Sequence, residues 1–292
     1  MDVQSAIALA TRARGKAKRV LLRTPVVKQV ADTRYFAALG RHAGQLPWLD
    51  ETRFSVLKDL RQDWLARRDG RSFIPKEVLD IADDFVARLG KDTSDKSCVR
   101  ISPQELASDP ALYKWGMCDE NLDLAECYIG LPVNFLGVEV KRERPDGRAL
   151  DVRQWHIDVE DRRMMKIITY LSDVDPTCGP FNYLDRPLTR RAVSNLGYWS
   201  GFVPDAQMSP AVPSSEWLQA LGPRLSTVFV DTCRLFHRAM PPSQVDRYSM
   251  TFSFASTTPH QVFPEFMANR ETMRQIRDQL TPRQRRAALM DD

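Results

Sequence analysis

From Leu131 onward the chain breaks into short runs of β-branched and aromatic residues separated by turn chemistry, and this rhythm constrains the fold more than any other feature. VNFLGVEV, DVRQWHID, MMKIITYL, RLSTVFVDT and RYSMTFSFAST each fit one strand, with RPDG and DVDPTCGP as turns between them. Strands this short and this closely spaced pair antiparallel and bury one face against a second layer. The first ninety residues read differently. Phe54, Leu57, Leu60 and Leu65, then Val78, Ile81, Phe85 and Leu89, follow a 3.6-residue period, with Pro75 at a helix start. The expected fold is therefore α+β, an antiparallel sandwich or barrel with an α-helical N-terminal flank. In a chain of 292 residues this is read as one domain: a mainly helical flank over 1–125, a β core over 126–260 and a C-terminal helical tail over 261–292. An irregular insert between Asp185 and Pro223 carries Tyr198, Trp199 and Phe202, which fit either a lid or ordinary packing.

Composition removes several function classes. Hydrophobic residues make up 43% and charged residues 27%, the balance of a globular chain, and no apolar stretch approaches the roughly 18 residues of a membrane span. The N-terminus places its apolar piece before its basic piece, the reverse of a secretory signal, so a cytoplasmic location is expected. The five cysteines are scattered without a C-x-x-C pair, which speaks for reduced structural thiols. Positive charge concentrates in the first thirty residues, where Arg12, Arg14, Lys16, Lys18, Arg19, Arg23 and Lys28 face only Asp2. A solvated helix face is the first reading and weak contact with an anionic surface the second; no nucleic-acid partner is expected.

The candidate chemistry lies in QWHID. Alternation on a strand puts His156 and Asp158 on one face, with Glu160 following if the strand continues, although Glu160 and Asp161 read as solvated turn residues. A third donor has to come from His42, His237 or His260. His42 and His260 fit ordinary loops, whereas His237 follows a strand-like run and precedes Arg247 by ten residues. Two histidines and a carboxylate on one octahedral face leave three positions open, the arrangement of non-haem Fe(II) oxygenases.

The H-x-D, distant H, then R pattern resembles the Fe(II)/2-oxoglutarate dioxygenases, specifically the phytanoyl-CoA dioxygenase-like group, over about Leu131 to Thr258. QWHID, YLSDVDPTCGPF and FHRAMPPSQVDRYSMTFSF carry the resemblance. It implies a double-stranded β-helix (jelly-roll) core and His156, Asp158 and His237 as metal ligands and catalytic centre. It implies Fe(II), 2-oxoglutarate and O2 as cofactors, with Arg247 gripping the distal carboxylate of 2-oxoglutarate. The chain departs from the group after Gly179, where PFNYLDRPLT replaces a P-G-S-H turn.

The strand of Arg247 supports that role. Arg247, Ser249, Thr251, Ser253 and Ala255 share one face and Tyr248, Met250, Phe252 and Phe254 the other, so the small polar face suits a ligand-filled interior. Ser249 is placed to add a hydroxyl beside the guanidinium fork. Lys166 and Tyr170, on one face of MMKIITYL, are further cosubstrate or substrate contacts. The expected activity is hydroxylation of an unactivated C–H bond in a small or carrier-linked metabolite. Two alternatives stand beside it: a cupin-like metal-binding barrel that does not use 2-oxoglutarate, and a catalytically inactive binding protein acting through its basic N-terminal arm.

Overall fold

The computed structural model describes residues 13–18, 20–21, 24–263, 267 and 270–290. Nine strands appear among them: β1 (Leu65–Asp69), β2 (Cys98–Arg100), β3 (Val133–Glu143), β4 (Met164–Tyr170), β5 (Phe181–Tyr183), β6 (Leu218–Ala220), β7 (Ser226–Val230), β8 (His237–Ala239) and β9 (Arg247–Ser256). A six-stranded sheet runs in the order β1-β7-β4-β9-β3-β2 and a three-stranded sheet in the order β6-β5-β8. Every pairing is antiparallel. Phe181 and Ala220 of the small sheet pack with Leu65, Val228 and Val230 of the large one, so the two sheets face each other as a jelly roll.

The helices are α1 (Pro25–His42), α2 (Glu51–Asp63), α3 (Lys76–Gly90), α4 (Pro103–Ser108), α5 (Pro110–Gly116), α6 (Asp119–Ile129), α7 (Arg186–Leu196), α8 (Asp205–Ala211), α9 (Arg270–Ile276) and α10 (Pro282–Ala287). Helices α2 to α6 cover the outer face of the large sheet, burying Met250, Phe252 and Phe254 of β9 with Phe135, Val138 and Val140 of β3. The inverted alternation of β9 is thus resolved as expected, with the apolar side under helices. Trp115 of α5 meets Phe252 edge-on at 4.6 Å between ring centroids. Gly116 permits that approach, since a Cβ there would stand 2.8 Å from both Phe135 and Phe252.

Several expectations need correction. The helical flank supplies both edge strands of the large sheet, β1 and β2, and sequences as short as LARRD and CVR are too brief to show a period. Leu65 does not continue the helix before it. Asp50 caps α2 by accepting from the Arg53 N–H, but Trp64 adopts a left-handed conformation (φ 65°) and turns the chain into β1, leaving Phe54 exposed. DVRQWHID is no strand. A 3-10 turn over Asp151–Arg153 is followed by isolated bridges at Trp155 and His156. The 185–223 insert is ordered by α7, α8 and β6 rather than irregular. The tail is packed, since Met273, Ile276, Leu280 and Ala287 join the main core.

Of the basic arm, Arg12, Arg19 and Arg23 lie outside the described residues, whereas Arg14, Lys16 and Lys18 are exposed. No helix among the described residues is long and apolar enough to cross a membrane.

Candidate metal centre

The two imidazoles are brought together by the backbone. His156 and His237 exchange hydrogen bonds, each N–H reaching the other's carbonyl at 3.0 Å, so their side chains leave the same face with ring centroids 4.3 Å apart. The Nδ1 of His156 lies 2.8 Å from the Gln154 carbonyl and that of His237 lies 3.0 Å from the Leu235 carbonyl. A carbonyl can only accept, so each Nδ1 carries a proton and Nε2 is the ring nitrogen left to face a metal. Burial, followed by the charges of its neighbours, pulls His237 down to about 3, which keeps it in that ligand form.

Asp158 completes the set. Its N–H donates to the Thr232 carbonyl at 2.8 Å, tying HID to the loop that leads into β8. Its Oδ1 stands 3.4 Å from His156 Nε2 and 3.9 Å from His237 Nε2. Three donors at bond lengths of about 2.1 Å on one octahedral face lie about 3 Å apart, and here the ligand atoms lie within 4.8 Å of one another, so the triangle closes on a metal by inward movement of the side chains. Burial alone would raise the Asp158 carboxyl, but Lys166 first and then the imidazoles hold it well below its usual range. The donors His156, Asp158 and His237 are the one such cluster among the described residues.

Glu160 and Asp161 are not solvated turn residues, since they retain only 8% and 9% exposure. Glu160 accepts from the Val159 N–H, and burial followed by the charge of Asp158 pushes it up to about 7. Asp161 brackets the backbone by accepting from the Arg162 and Ser256 N–H groups. Of the two remaining histidines, His42 ends α1 with its Nε2 2.8 Å from Glu126, and neither it nor His260 joins the triad.

Arg247 opens β9 opposite Glu143 of β3. It is 3% exposed, and its Nη1 has no hydrogen-bond partner. Glu143 pairs with Arg153 at 2.9 Å and Lys141 at 3.4 Å, and its Oε1 has no hydrogen-bond partner. Against burial, the charges of Lys141 and then Arg247 hold its carboxyl below the usual range, while no ion pair among the described residues involves Arg247. A buried guanidinium with a vacant donor fits an anionic ligand. Ser249 lies buried on the same face, across from Lys141 of β3 and Tyr170 of β4.

The remaining expected contacts are turned elsewhere. Lys166 Nζ donates to Asp158 Oδ2 at 2.6 Å. The hydroxyl of Tyr170 donates its only proton to the Ala220 carbonyl and accepts from the Phe181 N–H, so as a cosubstrate donor it is corrected to a brace between the two sheets. In the insert, Tyr198 accepts from the Ile157 N–H and packs on Phe236, Phe202 lies 5.2 Å from the His156 ring with 47% exposure, and Trp199 is exposed. Phe181 stacks on His237 from the other side at 5.5 Å.

Sequence reasoning missed Asp231. It is fully buried and accepts from the Tyr128 hydroxyl at 2.7 Å and from the N–H groups of Met164 and Cys233, which fixes the loop delivering His237. Burial pushes its carboxyl up to about 7. One signal was available, an isolated acid in the otherwise apolar VFVDT.

No family model matches the chain, and no curated protein does. Among solved structures it is similar to HygX from Streptomyces hygroscopicus with nickel and 2-oxoglutarate bound, at 13% identity over 72% of this chain and 88% of that one, TM-score 0.50. It is also similar to the epimerase SnoN in complex with Fe3+, alpha ketoglutarate and nogalamycin RO, at 14% identity over 71% and 85%, TM-score 0.49. AviO1 from Streptomyces viridochromogenes Tue57 shares 16% identity over 73% and 97%, TM-score 0.48. At this identity the likeness to HygX establishes the jelly-roll fold and nothing finer.

Proposed function

We propose that this chain is an Fe(II)- and 2-oxoglutarate-dependent oxygenase of the phytanoyl-CoA dioxygenase-like kind, hydroxylating an unactivated C–H bond of a small or carrier-linked metabolite. The observation that carries the reading is the pairing of a three-donor centre with a buried guanidinium whose Nη1 lacks a partner. His156, Asp158 and His237 would hold the metal, and Arg247 with Ser249 the far carboxylate of the cosubstrate. When bound, Fe(II) with 2-oxoglutarate and O2 supplies the oxidation, in which the keto acid becomes succinate and CO2 and one oxygen atom enters a C–H bond.

The chain's own residues do the rest. The Gln154 and Leu235 carbonyls orient both imidazoles through Nδ1, which leaves Nε2 as the atom that would face a metal. Arg247 offers a planar fork that matches a carboxylate, in a buried setting where water competes weakly. Phe202 and Phe181 set apolar rings against the two histidines, and Tyr198 fastens the Phe202 segment to Ile157. As a ligand, Asp158 would leave no place for a halide, which favours hydroxylation over halogenation, with desaturation and cyclisation as the alternative outcomes.

The cupin-like alternative would give the vacant Nη1 of Arg247 no anion to grip. Anaerobic addition of 2-oxoglutarate to the Fe(II)-loaded protein is expected to give a weak visible metal-to-ligand charge-transfer band, and air is then expected to release succinate. Neither band nor succinate at saturating cosubstrate would overturn the oxygenase reading.

A further inference from the structure

The two oxygens of Asp158 are treated differently. Oδ1 points to the Nε2 atoms of His156 and His237, at 3.4 and 3.9 Å, while Oδ2 accepts from Lys166 Nζ at 2.6 Å. Lys166 is not a loose surface cation. It sits mid-strand in β4, between Val230 of β7 and Ser253 of β9, so paired backbone on both sides sets where its stem leaves the sheet. Its side chain keeps 20% exposure and that of Asp158 12%, which leaves the contact little competition from water.

A carboxylate can ligate a metal through one oxygen or chelate it through both. Which it does decides how many positions remain. With two imidazoles and one carboxylate oxygen, an octahedral ion has three positions left, enough for a chelating 2-keto acid and O2; a second carboxylate oxygen would take one of them. An ammonium hydrogen-bonded to Oδ2 occupies one of that oxygen's two lone pairs and repels a cation approaching the other.

We propose that Lys166 is a positioning residue that confines Asp158 to one-oxygen ligation and so keeps the third position of the metal open. This rests on the oxygenase reading and deepens it. It also gives Lys166 a role distinct from gripping the cosubstrate, since its one side-chain hydrogen bond goes to the ligand carboxylate. The neighbouring Glu160 does not replace it, because its side chain accepts from the Val159 N–H and makes no hydrogen bond to Asp158.

The test uses full-length protein loaded with Mn(II) and no cosubstrate, comparing wild type with Lys166→Met and Lys166→Arg by water-proton relaxivity, which counts exchangeable waters on the ion. Thermal melts on the same samples check folding. Lys166→Met is expected to lose about one water in three, with an inner-sphere relaxivity lower by about a third, and Lys166→Arg to restore it. Subsequent 2-oxoglutarate titration is expected to need at least about ten-fold more cosubstrate in Lys166→Met. Wild-type relaxivity in Lys166→Met overturns the proposal, and if the 2-oxoglutarate requirement alone rises, Lys166 grips the cosubstrate directly. Should Lys166→Met fail to fold, Lys166→Met combined with Glu160→Gln removes one buried acid along with the cation and is judged by the same relaxivity. Failure of the wild type to bind Mn(II) would instead refute the metal centre, so the two readings fail separately.

Discussion

Replacing Asp231 with asparagine should change how the fold responds to pH, and the size of the effect follows from its surroundings. The carboxyl is fully buried, with Oδ2 held by the Tyr128 hydroxyl and Oδ1 by two backbone N–H groups. Burial outweighs those donors and raises it from 3.8 to about 7. The sign is that of a raised acid: between those values the folded chain keeps a proton that the unfolded chain has released. The stability contributed is complete below pH 3.8 and is lost as pH rises toward 7. At 1.36 kcal/mol per unit, the loss from pH 5 to pH 8 is about 3 kcal/mol. An amide at this position would be neutral throughout. Its carbonyl oxygen can still accept both N–H groups, while the Tyr128 hydroxyl must turn to accept from the amide. Asp231→Asn should therefore be less stable than wild type at pH 5 by about 1 kcal/mol, the cost of one weakened buried hydrogen bond, and more stable at pH 8 by about 2 kcal/mol. Urea unfolding followed by circular dichroism, in chelator and at fixed ionic strength, measures this without metal linkage. The difference between the two proteins cancels the contributions of Glu160, which moves in the same direction, and of His237, which moves in the opposite one. A gap between variant and wild type that stays constant from pH 5 to pH 8 would show that Asp231 is ionised in the fold.

His156→Ala and His237→Ala should melt close to wild type yet lose metal on reconstitution, because each ring is held by a carbonyl and stacked neighbours rather than wedged into the main helical core; wild-type iron content in both would refute the triad. Arg247→Ala should raise the 2-oxoglutarate requirement ten-fold or more while sparing iron binding, since losing the partner of a buried carboxylate costs about 2 to 5 kcal/mol, and Arg247→Lys should rescue poorly; cosubstrate titration followed by the charge-transfer band reads this out. Phe252→Ala should lower unfolding free energy by about 3 to 5 kcal/mol, because the ring is fully buried between Trp115 and Phe135; a loss under about 1 kcal/mol in urea melts would mean the helical layer is not packed as described. Deleting residues 1–20 should leave succinate formation intact and weaken any salt-sensitive binding to anionic vesicles, and inactivation of the still-folded truncation would assign that segment to the pocket.

What the sequence determined by itself were the features written in local alternation. The polar face shared by Arg247 and Ser249 follows from side chains alternating along a strand, whereas His156 and Asp158 meet on one side without a strand, held by the His237 and Thr232 backbone. The greasy face of Met250, Phe252 and Phe254 likewise announced a helical cover, which α2 to α6 provide. Tertiary structure decided the rest, because those features depend on partners distant in the chain. LARRD and CVR become strands only when β7 and β3 present unpaired edges to them. Glu160 and Asp161 look solvated in sequence, yet the chain from Ser256 to Gln261 closes over them and donates backbone N–H groups to both. The register of β4 against β7 and β9 turns Lys166 toward Asp158, and the sheet-to-sheet contact commits the Tyr170 hydroxyl to Ala220. Asp231 is the sharpest case. VFVDT marks Asp231 only as an isolated acid, and it takes the approach of Tyr128, 103 positions away in the chain, and of the Met164 N–H to add donors and remove its water.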